Sequence, residues 1–327
     1  MWPVGLAAAV IIVFVLRPLF FARPAPDIIS IEIESGETLV SIADELARQD
    51  IILSPFLFRL YGKVSGQAKD IKAGSFEIAK GTGMRALYSL LTDAGIANEE
   101  IMIPEGWTVD DIAGSLEKNG FVDAETFILT ADGASWSDEF SFLPKESGEG
   151  NSNYEGYFFP DTYRFSATRP ELDLPRQAFR NFQKRVIEGF AGELQSSDYS
   201  LHEIIIIASI LQAEVRKPED MIKMADILEK RLKAGMALQM DSTVNFATGK
   251  NNVFTSAGDR ATDSPYNTYK YPGLPPGPIN NPGLDAIRAA LKPETNPYYY
   301  FLTADDGTAY YAKTLDEHNA NRARYLK

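Results

Sequence analysis

The segment Ile204-Ile205-Ile206-Ile207-Ala208-Ser209-Ile210-Leu211-Gln212-Ala213 carries no charge and only two polar side chains, Ser209 and Gln212. A stretch apolar on every side has to be wrapped by protein, so the rest of the chain must build a core around it, and the segment reads as a buried helix. The run ends on Glu214. A carboxylate in that place sits where water is scarce, and desolvation raises its pKa by disfavouring the charged form. A raised pKa is what a general acid needs to hold a proton near neutral pH. The plainer reading puts the last turn of the helix at the surface, with Glu214 solvated or paired to Arg216 or Lys217.

The chain has 327 residues, of which 45% are hydrophobic, enough for an ordinary core divided over two or three units. Its net charge of −13, with no basic stripe and interleaved aromatics, argues against a nucleic-acid partner. Cysteine is absent, which excludes disulfides and thiolate metal sites and suits an extracytoplasmic protein. With His202 and His318 the only histidines, a metal centre is not expected, and no cofactor is called for.

The N-terminus suggests a membrane. Trp2 to Leu16 is uncharged and mostly apolar, and Pro18 to Ala22 continues the pattern beyond Arg17. A span needs roughly 20 apolar residues, with about 17 a practical minimum, so this segment qualifies if Arg17 snorkels toward an interface with Arg23. An uncleaved single-span anchor is favoured over a cleaved signal peptide, for which neither a basic leader nor a convincing small-x-small site is present. The flanking positive charges lie on the C-terminal side, so the positive-inside rule alone would hold the remainder in the cytoplasm. That question stays open at this level.

After the linker Pro24-Ala25-Pro26 comes an internal repeat. Ile33, Gly36, Thr38, Leu39, Ile42, Ala43 and Leu46 recur as Ile103, Gly106, Thr108, Val109, Ile112, Ala113 and Leu116. Each copy predicts a short strand, a Gly turn, a Thr N-cap and an amphipathic helix. Ser75 to Ile78 followed by Met84 to Leu91 is a looser third pair. The first copy, with Gly36-Glu37-Thr38-Leu39, resembles the opening of a LysM module, a small fold that binds N-acetylglucosamine polymers. A spacer role is the alternative.

Residues from about 125 to 152 read as a connector, closed by the loop Gly148-Glu149-Gly150-Asn151-Ser152-Asn153. Tyr154-Glu155-Gly156-Tyr157-Phe158-Phe159-Pro160-Asp161-Thr162-Tyr163-Arg164-Phe165 then mixes aromatic rings with carboxylates, a combination suited to sugar faces and hydroxyls. Helices are predicted from Pro175 to about Leu194, through the run ending at Glu214, and from Glu219 to Ala234, which Gly235 terminates. Leu238 to Val244 leads into a polar loop, and a Pro- and Gly-rich region from Ser264 to Gly283 reads as a rigid loop able to hold a site. Tyr298 to Leu302 and Thr308 to Ala312 predict a terminal hairpin.

Taken jointly, Ile103-Pro104-Glu105-Gly106-Trp107, the Tyr154–Tyr163 segment, Ala208-Ser209-Ile210-Leu211-Gln212-Ala213-Glu214, Leu238-Gln239-Met240-Asp241, Tyr266-Asn267-Thr268-Tyr269 and Gly273-Leu274-Pro275-Pro276-Gly277-Pro278-Ile279 closely resemble the MltG, or YceG-like, endolytic murein transglycosylases. The resemblance covers nearly everything after the anchor. It implies a single-pass inner-membrane protein with its N-terminus inside and its catalytic domain in the periplasm, cleaving nascent peptidoglycan strands internally near the membrane and so setting where glycan elongation ends, with peptidoglycan synthases as candidate partners. The expected fold is α+β: a membrane anchor and linker over 1–26, a LysM-like strand–helix region over 27–98, and a mixed α/β catalytic domain over 99–327. The family's catalytic Glu falls on Glu214. Where many relatives carry a second Glu this chain has Gln212, so that position does not need an ionisable group. Glu155, Asp161, Tyr163, Gln239, Asp241, Tyr266 and Asn267 are the expected substrate-binding residues. The competing expectations are a hydrolase in which Glu214 works with Asp241 or Glu155, and a non-catalytic peptidoglycan-binding scaffold.

Overall fold

The computed structural model describes residues 28–79, 82–92, 98–133, 136–145, 154–166, 170–250, 255–304 and 306–326. The expected anchor, Trp2 to Ala22, lies outside them. Among the described residues no helix is long and apolar enough to cross a membrane. The chain forms two compact units, one from residues up to Glu100 with Arg164–Asp173, the other from Ile101–Tyr163 with the chain from Leu174 onward.

In the first unit, β1 (Ile28–Ile33) pairs antiparallel with β2 (Gly74–Ala79), placing Ile31 opposite Phe76. Between them run α1 (Leu39–Arg48) and α2 (Pro55–Ser65), and α3 (Met84–Thr92) follows. Thr38 caps α1 by accepting from Ser41 N at 3.1 Å, and Ile42, Ala43 and Leu46 turn inward as the repeat predicts. Ser54 caps α2, Pro55 supplies a preset first-turn φ, and Gly66 ends the helix at φ +78°. The core joins Ile31, Ile42, Leu46, Phe58, Ile78, Leu87 and Tyr88. Tyr88 donates to the Phe58 carbonyl at 2.9 Å, and its hydroxyl occupies the space a side chain at Gly62 would need. The looser third strand–helix pair expected from the sequence is present as β2 and α3, and its strand completes the sheet begun by β1.

Strand β3 (Asn98–Met102) pairs with β4 (Thr162–Ser166), and the division between the units falls within both strands. The second repeat copy gives α4 (Val109–Lys118), started by a reciprocal Thr108–Asp111 capping box. Gly106 adopts φ +83° where Gly36 in the first copy has +84°, so both turns need a residue free to enter the left-handed region. The expected connector is partly helical instead, as α5 (Ala124–Gly133) and the single turn Trp136–Glu139. Asp123 caps α5 through Thr126 N, and Phe127 and Ala131, one turn apart, bury its inner face.

The next helix, α6 (Pro170–Phe182), starts earlier than expected and contains Pro175. So near a helix start the missing N–H removes only one early backbone bond. The rings of Tyr154, Tyr157, Phe158, Phe159, Tyr163 and Phe165 are all buried, several against Phe179 and Phe182 of α6. They build core; the expected sugar-facing aromatic surface is absent from this segment.

The apolar run forms α7 (Leu201–Glu214), opened by a Ser200–Glu203 capping box and buried without interruption from Ile204 to Leu211. Against it pack α8 (Pro218–Lys233) and α10 (Leu284–Leu291); α9 (Asp241–Thr248) lies between these in sequence, over residues expected to lead into a loop. The run's two polar residues hold the Pro/Gly-rich loop to α7. Ser209 Oγ accepts from Ile279 N at 3.1 Å, its carbonyl accepts from Asn280 Nδ2 at 2.8 Å, and Gln212 Oε1 accepts from Gly283 N at 3.0 Å. The predicted hairpin is β5 (Tyr300–Thr303) with β6 (Ala309–Ala312), and a further helix, α11 (Leu315–Tyr325), packs on it.

Candidate active site

Glu214 is the last residue of α7, half-buried, with its backbone carbonyl accepting from Thr303 Oγ1 of β5 at 3.0 Å. Its carboxylate reaches the start of α9. Oε1 accepts from Ser242 N at 3.2 Å and from Ser242 Oγ at 2.7 Å, while Oε2 accepts no hydrogen bond among the described residues. The residue preceding α9 is Met240, whose side chain cannot cap it. A glutamate 28 positions earlier therefore satisfies a free N–H of that first turn.

Two sets of forces act on this carboxyl. Desolvation is the largest and pushes its pKa up, and the nearby Asp241 charge pushes the same way. The two Ser242 hydrogen bonds and the Arg231 guanidinium favour the ionised form. The upward push prevails. Such a group holds a proton more firmly than an exposed carboxyl yet has donors ready for the anion once the proton is gone, which suits a residue serving as acid and then base.

The surroundings are rigid. Arg231 is buried in α8, donating through Nε to the Tyr299 carbonyl at 2.9 Å and through Nη1 to the Leu238 carbonyl, with its guanidinium 5.4 Å from the Tyr300 ring centre. Asp241 Oδ1 accepts from Thr255 Oγ1 and from Tyr269 OH, the latter at 2.7 Å. Thr268 Oγ1 accepts from Met240 N at 2.9 Å and bonds with Thr243 Oγ1 at 2.9 Å, fixing the turn that delivers Asp241 and Ser242. Gln239 in that turn has φ +55°, an uncommon conformation for a residue with a side chain.

The profile of one family matches residues 31–324. The chain belongs to the YceG-like family. An endolytic murein transglycosylase of Bacillus subtilis (strain 168) is 32% identical over 309 residues, which cover 91% of this chain and 85% of that protein. One from Streptococcus pneumoniae serotype 2 is 28% identical over 324 residues, 91% of this chain and 58% of that protein. The crystal structure of a yceG-like protein from Listeria monocytogenes matches with a TM-score of 0.61 at 30% identity, covering 90% of this chain and 99% of that chain.

Of the residues expected at the site of this YceG-like chain, Asp241 alone has its side chain placed to act electrostatically on Glu214. Gln239 lies two residues before Asp241 in the same turn, with an exposed side chain. Asn267 is fully buried: Nδ2 donates to the Arg260 and Thr262 carbonyls at 2.9 and 2.8 Å, and Oδ1 accepts from Tyr269 N at 3.1 Å. It shapes the loop that carries Tyr269. Tyr266 is buried with its ring 5.0 Å from Phe246 and its hydroxyl close to Gly277.

The other three make their contacts elsewhere, Glu155 apart from the Asp161–Tyr163 pair. Glu155 is buried, accepting from Val109 N and from Asn281 Nδ2, each at 2.9 Å. Its neighbour Gly156 lies against Ile205, two and a half turns of α7 or about 13 Å from the Glu214 end. Burial pushes the Glu155 carboxyl up to about 8. Asp161 Oδ2 and the Tyr163 hydroxyl share the Asn181 amide, at 2.9 and 3.1 Å. These three contacts serve the fold. Sequence reasoning missed Ser242, Arg231 and Tyr269, although Ser242 directly follows the Leu238–Asp241 motif and Tyr269 closes the Tyr266–Tyr269 motif.

Proposed function

We propose that this chain is an endolytic murein transglycosylase, a lyase acting within nascent peptidoglycan strands at the bond between N-acetylmuramic acid and N-acetylglucosamine. The observation that carries this reading is one desolvated glutamate whose Oε1 is held by Ser242. The proton then resides on Oε2 and passes to the glycosidic oxygen as that bond breaks and positive charge develops at muramoyl C1. The muramoyl C6 hydroxyl attacks C1, and its proton returns to Glu214, leaving a 1,6-anhydro end and a regenerated acid. No enzyme nucleophile or activated water is needed, and the internal attack benefits from high effective concentration. Ser242, at the start of α9, supports the anion between the two half-reactions.

Among the described residues, Asp241 is the carboxylate acting on Glu214 that favours the hydrolase reading, which needs a paired acid and base. Its Oδ1 is already shared by Thr255 and Tyr269, an arrangement that suits raising the Glu214 pKa better than activating water. The reading also includes a single inner-membrane span over Trp2 to Ala22, a periplasmic catalytic unit, and glycan contact by the LysM-like first unit. The last is supported by a cavity of about 520 Å³ lined by residues including Glu34, Glu37, Lys69 and Lys72, within the usual size range of ligand sites. Mass spectrometry of muropeptides from uncrosslinked glycan tests the reaction. Anhydro ends at internal positions are expected; reducing ends in their place would establish hydrolysis.

A further inference from the structure

Helix α2 is apolar on two faces. Phe58 and Gly62 are buried, and Leu57 and Tyr61 pack against the same core. The opposite side carries Phe56, Leu60 and Val64 at four-residue spacing, exposed to 63%, 46% and 80%, with Leu53 just before the helix exposed to 86%. At about 100° per residue these side chains share one stripe, and Arg59 and Lys63 run along its edge. The outer face of a surface helix is normally polar, and a contiguous apolar patch marks something that covers it.

Two further observations indicate what covers it. From Ile51 to Lys69 the chain has three basic residues and no acidic one, although the whole protein carries a net charge of −13. In addition, only five residues, Arg23 to Asp27, separate the apolar N-terminal segment from β1. Fully extended, they reach at most about 18 Å. A globule of roughly 80 residues has a radius of gyration near 12 Å, so this tether is shorter than the first unit is wide and keeps the unit beside whatever holds the apolar segment.

We infer that α2 is a membrane-docking helix whose Leu53, Phe56, Leu60 and Val64 enter the headgroup–acyl boundary of an anionic bilayer while Arg59 and Lys63 meet lipid phosphates. The inference rests on the reading of Trp2 to Ala22 as a membrane anchor. It gives the first unit a fixed orientation on the bilayer, so that its cavity stands at a set height above the lipid instead of swinging on the linker.

The absence of cysteine makes the test clean, because one introduced thiol is labelled alone. Full-length chains carrying Leu53→Cys, Phe56→Cys, Leu60→Cys or Val64→Cys, each labelled with an environment-sensitive fluorophore, are reconstituted into phosphatidylglycerol–phosphatidylethanolamine vesicles. Leu129→Cys, at an exposed apolar position of the second unit, serves as reference. Shallow lipid-borne nitroxide should quench the four α2 probes about twofold or more and the reference little, and Arg59→Glu with Lys63→Glu should weaken that quenching. α2 probes quenched by aqueous iodide and not by the lipid nitroxide would overturn the docking while leaving the anchor intact. Probes shielded from both quenchers in a manner that scales with protein density would mean that a second copy covers the stripe, which also overturns it. Chains that no longer float with the vesicles would sink the anchor and the docking together.

Discussion

Replacing Glu214 by Gln keeps its size and its contacts with Ser242 but removes the proton, so it separates chemistry from packing. Because one group serves both half-reactions, kcat should fall by about 10⁴-fold or more, the upper end for general acid–base groups, with the melting temperature almost unchanged. Near-wild-type turnover in a strand-cleavage assay would remove Glu214 from the mechanism. Its neighbours predict opposite pH effects. The acid must be protonated at the start of the cycle, so kcat/KM falls as pH rises through the Glu214 pKa. Ser242→Ala removes a donor that favours the anion and should move this alkaline limb to higher pH; Asp241→Asn removes a charge that opposes the anion and should move it lower. Glu155 predicts a stability effect. The unfolded chain releases that proton near 4.5 and the folded one near 8, so the native state binds the extra proton between those values and loses stability as pH rises across the window. Glu155→Gln should flatten this part of the wild-type plot of melting temperature against pH.

Gly156 is the residue on which one element-level contact depends. Its φ is +89°, and a Cβ there would lie 2.6 Å from Pro278 and 2.7 Å from Ile205, so the aromatic segment, the Pro/Gly-rich loop and α7 meet at a point that admits no side chain. Gly156→Ala should cost about 2–4 kcal/mol, combining backbone strain with overpacking, and thermal melts should show the loss. How far such elements can be read in advance depends on where their partners lie in the chain. Helices α1 and α4 were legible because Thr38 and Thr108 cap them locally and the buried positions repeat every three or four residues. Helix α7 announced itself by having no polar face. Helix α9 was hidden because its cap is Glu214, from a distant part of the sequence, and α11 because it has no buried residue and hence no apolar stripe. The same distinction holds at the site. Glu214 could be picked out as a carboxylate ending an apolar run and Asp241 through the family motif that carries it, whereas the burial of Glu155 and the service of Asn267 to its own loop depend on contacts that composition does not show.

At the scale of the whole molecule, the proposed anchor and the short segment that follows it predict where the enzyme works more than how fast. A catalyst anchored to the bilayer meets membrane-attached glycan at an effective concentration in the millimolar range, whereas a freely diffusing one meets it only at its bulk concentration. The chemistry at Glu214 does not depend on that tether. A chain beginning at Arg23 should therefore cleave short soluble strands at the same rate as the full-length protein. On nascent glycan still held in vesicles it should act at least about tenfold more slowly at submicromolar enzyme, and its cuts should be spread over a wider range of distances from the membrane-linked end. Product lengths from the two forms, compared side by side on both substrates, measure this directly. Equal rates and equal length distributions on vesicle-held glycan would mean that proximity to the bilayer does not set the cleavage position, whatever holds the protein in the cell.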